Sequence, residues 1–167
     1  MIRRVLFYSG LFLISIILQS TIFHYLKIGG VKPDLLLIIV VLSAVLNGRR
    51  TGAAVGFAFG LLEDLLVGKY IGLQALTKML TGYIIGHLER KIFSDNVLVP
   101  IVVGGLGTVI HCVLQFAALL CVGAYNVFTP ESLVSLTLAS SFYNLCVALV
   151  IYEPLYRSNT RGFCKAV

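Results

Sequence analysis

The chain has 167 residues, of which 59% are hydrophobic and 12% charged, at a mean hydropathy of +0.99. Soluble domains carry about 25% charge, so a water-soluble globule is excluded, as are a disordered chain, which needs low hydrophobicity, and a nucleic-acid binder, whose basic stripe must be exposed. The formal net charge of +6 reads instead as an orientation signal, because the cytoplasmic loops of membrane proteins collect Lys and Arg.

A helix that crosses a hydrocarbon core of about 30 Å needs roughly 20 mostly apolar residues. Six such segments are predicted, giving one all-α integral membrane domain over 1–167 with transmembrane helices at about 5–23, 33–46, 51–67, 71–88, 97–122 and 133–152. The first follows Arg3-Arg4 and shows no small-residue cleavage pattern, so it is expected as an uncleaved span rather than a signal peptide. The second opens at Pro33, where a missing N–H is tolerated, with Asp34 complementing the positive helix end. At about 14 residues, or roughly 21 Å, it is short for a crossing and is expected to borrow residues at both ends or to sit in locally thinned bilayer.

Asn47-Gly48-Arg49-Arg50 closes a tight hairpin into the third span. The fourth carries Lys78 and a GxxxG, and either crosses fully or is partly re-entrant. In this six-span arrangement nine basic residues, Arg3, Arg4, Arg49, Arg50, Arg90, Lys91, Arg157, Arg161 and Lys165, lie on one side. Only Lys27, Lys32 and Lys69 lie on the other, which puts both termini in the cytoplasm.

Three of the four cysteines, Cys112, Cys121 and Cys146, fall within spans, and no CxxC occurs, so neither a disulfide nor a metal site is expected. The predicted loops are at most about ten residues long, too short for a soluble catalytic domain. There is no HExxH, GxSxG or P-loop, so no catalytic residue, enzymatic activity or cofactor is expected.

A four-residue spacing runs through Gly48, Gly52, Gly56, Gly60, Asp64, Gly68 and Gly72. Positions four apart are neighbours on a helix, so Gly52, Gly56 and Gly60 form a groove that another backbone can approach. Its occupant is either a helix of the same chain or another subunit, including a second copy in a homodimer. Asp64 continues the row near the outer end of the third span, either as an interfacial acid or as the partner of Lys78, whose long stem can snorkel outward. Lys78, Gly82 and Gly86 make a second row of the same spacing.

His111 is the deepest titratable group and shares a face with Gly104, Thr108 and Gln115, opposite Thr137, Ser141 and Asn144 of the sixth span. It is expected as a neutral histidine hydrogen-bonded between the fifth and sixth helices. The sharper alternative is a proton relay, for which one histidine and one distant acid make a poor chain.

The order and spacing of Pro33-Asp34, Gly56-Phe57, Gly60-Leu61-Leu62, Asp64, Gly68, Gly72 and Ala75-Leu76, over about residues 30 to 90, resemble the MreD family of rod shape-determining membrane proteins. The resemblance implies a multi-pass protein of the bacterial cytoplasmic membrane without enzymatic activity. Such a protein binds the bitopic MreC and helps connect MreB filaments to the glycosyltransferase RodA and its class B penicillin-binding partner in peptidoglycan synthesis. It also implies a fold similar to the S components of energy-coupling-factor transporters. A small-molecule-binding transport component is therefore the alternative function, although the first span lacks the AxxxA row through which such components dock.

Overall fold

The computed structural model describes residues 2–25, 33–66, 70–92, 99–123 and 130–160. Six helices and no strand occur among them: α1 Ile2–Tyr25, α2 Leu35–Asn47, α3 Arg49–Leu66, α4 Leu73–Ile92, α5 Val99–Cys121 and α6 Pro130–Thr160. Gly68, Lys27, Lys32, Lys69 and Cys164 lie outside the described residues.

Helix α2 is apolar on all sides, and a helix of that composition belongs in an interior. Every residue from Leu35 to Val45 is buried, and α2 packs against each of the other five helices. It does not borrow residues at its ends. Asp34 caps the start, its Oδ1 accepting the Leu37 N–H at 2.9 Å. Gly48 ends the helix at φ +84°, a backbone conformation that side-chain-bearing residues rarely adopt. The 13 residues span about 20 Å, a length that suits a central strut surrounded by protein.

Only Gly48 separates α2 from α3, so Arg49 and Arg50 lie in the first turn of α3 and not in a loop. Helix α4 is continuous over its 20 residues. Helix α6 has 31 residues and extends beyond the predicted span at both ends.

The two glycine rows meet each other. A Cβ built on Gly52 would lie 2.8 Å from the Gly82 carbonyl oxygen, one on Gly56 2.7 Å from the Lys78 carbonyl carbon, and one on Gly60 2.5 Å from Ala75 Cα. In return, a Cβ on Gly82 would lie 2.7 Å from the Gly52 carbonyl carbon, and one on Gly86 2.5 Å from Arg49 Cα. The groove on α3 is thus filled by α4 of the same chain, as an antiparallel seam with bare backbone on both sides. Helix α1 is fixed to this pair by aromatic rings, Phe12 and Tyr8 lying 5.4 Å and 6.4 Å from the Phe59 ring. Gly104 and Gly107 in turn let α5 approach Ala148 of α6 and Val41 of α2.

Polarity is inverted relative to a water-soluble bundle. Leu13 and Ile17 of α1, Leu65 of α3, Val113 of α5 and Phe142 and Val150 of α6 are all about 60% exposed or more, whereas Lys78, Asp64, His111, Asn144, Thr81 and Thr108 are buried. Among the described residues one helix, over Val102–Cys121, is long and apolar enough by itself to cross a membrane.

Candidate functional site

The buried polar groups converge on Lys78. It lies in the second turn of α4, and its side chain is fully enclosed. The Nζ atom lies 2.9 Å from Asp34 Oδ2 and 3.2 Å from Asp34 Oδ1, and also pairs with Glu63 Oε2. The two carboxylate side chains are 24% and 21% exposed, so the ammonium lies beneath them and does not snorkel past.

Asp34 carries the site outward to the remaining helices. Gln19 Nε2 of α1 donates to Asp34 Oδ1 at 3.4 Å. The Asp34 backbone N–H donates to Asn144 Oδ1 of α6 at 2.9 Å, and Asn144 Nδ2 donates to Thr108 Oγ1 of α5 at 3.0 Å. Thr108 Oγ1 donates in turn to the Gly104 carbonyl at 2.8 Å. Every helix therefore contributes one polar side chain or its cap to a single connected network. A buried ammonium next to two carboxylates and hydrogen-bonded amide groups is held in one arrangement, since each alternative leaves a buried polar group unpaired.

Asp64 does something different from pairing with Lys78. Its carboxylate accepts from the backbone N–H groups of Gly72 at 2.9 Å, Gln74 at 3.3 Å and Ala75 at 3.1 Å, the open first turn of α4. Neighbouring residues on a helix point about 100° apart. Asp64 continues the glycine row toward the start of α4, and Glu63 turns toward Asp34 and Lys78. Gly72, at φ +94°, supplies the turn that brings its amide round to Asp64. A carboxylate at a helix N-terminus satisfies orphan donors and complements the helix dipole.

The hydrogen bond between α5 and α6 that was expected at His111 runs instead through Thr108 and Asn144. His111 is 4% exposed, and its Nδ1 has no hydrogen-bond partner among the described residues. Gln115, one turn further along α5, is half-buried. Of the resemblance residues, Pro33 is buried against the site and Phe57 faces outward at 48% exposure. Gln19 was not singled out by sequence reading, although a lone amide in an otherwise apolar span is a detectable signal. Glu63 carries no signal of its own in the sequence beyond its place beside Asp64.

Chemically, the arrangement ties helices together. No group of three or more His, Cys, Asp or Glu side chains suited to a metal ion occurs among the described residues.

A family model described as rod shape-determining protein MreD matches residues 1–156. No curated protein and no solved structure matches the chain. The match extends the resemblance carried by residues 30 to 90 over almost the whole sequence, through all six helices and every member of the Lys78 network, and the chain belongs to the MreD family of membrane-associated, rod shape-determining proteins.

Proposed function

We propose that this protein is a non-enzymatic, six-span scaffold of the bacterial cytoplasmic membrane, with both termini in the cytoplasm. In this reading it binds MreC and helps couple MreB filaments to RodA and its class B penicillin-binding partner during cell elongation. The observation that carries the reading is the distribution of polarity within a family member. Charged and amide groups are spent on holding six helices together, and the outward faces are apolar.

Because α4 occupies the Gly52–Gly56–Gly60 groove, MreC docks on an outward face, where a single transmembrane helix can lie against packed side chains. Affinity purification of the tagged full chain from membranes tests this. MreC is expected to co-purify in stoichiometric amount and to stay bound through mild detergent exchange. Recovery of the folded chain without MreC would sink the scaffold reading, and a thermal shift with a vitamin at micromolar concentration would favour the transport alternative.

A further inference from the structure

At the end of the bundle where α2 gives way to α3, Asn47, Gly48, Arg49 and Arg50 line a concavity of about 260 Å³. Arg49 is held in place: its Nη1 lies 3.2 Å from His87 Nδ1, and its guanidinium carbon lies 5.9 Å from the centre of the Tyr83 ring. Arg50 is exposed. Neither guanidinium meets a carboxylate among the described residues, where the ion pairs of Lys78 lie on other partners. The first-turn amides of α3, an 18-residue helix, add donors that have no acceptor inside the helix.

We propose that this concavity binds the phosphodiester headgroup of an anionic phospholipid. A guanidinium presents a planar fork of N–H donors that matches two phosphate oxygens, and its weak hydration makes exchange of water for phosphate inexpensive. The volume suits a headgroup and is too small for a whole lipid. The flanking residues decide between a lipid and a free anion. Tyr83 is 45% exposed with its ring against the Arg49 guanidinium, so an occupant with acyl chains covers apolar surface that inorganic phosphate leaves bare. The site needs only that the chain sits in a membrane, and stands apart from the binding of MreC.

The test uses the full chain in a zwitterionic detergent, with bound molecules counted by native mass spectrometry during titration with dioctanoyl phosphatidylglycerol, dioctanoyl phosphatidylcholine or inorganic phosphate. Phosphatidylglycerol is expected to be retained in preference to phosphatidylcholine. Arg49→Gln and Arg50→Gln are each expected to weaken that retention about fivefold, the effect of one basic side chain at a lipid surface. The Arg3→Gln, Arg4→Gln double variant is expected to leave it unchanged. Arg50 is exposed, so its variant remains informative if Arg49→Gln packs poorly.

Equal loss from the Arg3, Arg4 variant would mean diffuse attraction and overturn the site. So would equal retention of phosphatidylcholine, or displacement of phosphatidylglycerol by inorganic phosphate at the same concentration. Recovery of MreC with the Arg50 variant, read in parallel, separates failure of this site from failure of the scaffold reading.

Discussion

Lys78 illustrates how a buried charge depends on its partners. Removing only the ammonium, as in Lys78→Met, leaves Asp34 and Glu63 facing each other, and breaking a buried pair costs about 3–5 kcal/mol. The carboxylates are 24% and 21% exposed, which places the expected loss near the lower end, about 3 kcal/mol. Adding Asp34→Asn and Glu63→Gln to Lys78→Met removes the stranded charges and is expected to restore much of that loss, measured as thermal unfolding of the purified chain in detergent. Additive losses in the triple variant would show that the three groups are not coupled. The sequence shows that Lys78, an ionisable residue within an apolar segment, is paired, interfacial or functional. It does not show with whom. The partner comes from 44 positions away, at the cap of α2, and the four-residue spacing that aligned Asp64 with Gly60 pointed toward the wrong acid.

At the scale of an element, the α3–α4 seam rests on the absence of side chains. Gly56→Ala already drives a Cβ into the Lys78 carbonyl group, where backbone faces backbone and cannot yield without separating the helices. Gly105, by contrast, has nothing within 4 Å of an added Cβ. Gly56→Ala and Gly56→Leu are expected to reduce the yield of folded chain itself, and Gly105→Ala to leave it unchanged, as read by size-exclusion chromatography of a fluorescent fusion. Full yield of Gly56→Leu with selective loss of MreC would instead place a partner helix in the groove. Here the sequence was informative: both glycine rows were legible from spacing alone, because period four on a helix is a purely local property. That each row is the other's partner was not, since spacing defines a groove and leaves its occupant open. The shortness of α2 was legible as an anomaly, and its cause, enclosure by five neighbours, lies in packing that no local pattern records.

Across the whole molecule, the decisive feature is which way polarity points. Phe142 is 69% exposed near the middle of α6, two residues from the buried Asn144 that holds the Asp34 amide. In water, Phe142→Lys would remove an exposed aromatic ring and leave folding intact or improve solubility. In a bilayer the same change places an ammonium against hydrocarbon at a cost of about 2.5–3.5 kcal/mol for a central position. Among the described residues only α5 is long and apolar enough on its own to meet the usual criterion for a span. In the proposed topology the insertion of α6 therefore depends on that outward face and on its neighbours, and it has little surplus to absorb such a cost. Phe142→Lys is expected to lower the membrane-inserted fraction several-fold, measured by carbonate extraction and by protease protection, while Phe142→Leu keeps wild-type insertion. A soluble or undiminished Phe142→Lys protein would mean that this face of α6 does not meet lipid, and would remove the sixth span from the proposed topology together with the cytoplasmic placement of the C-terminus.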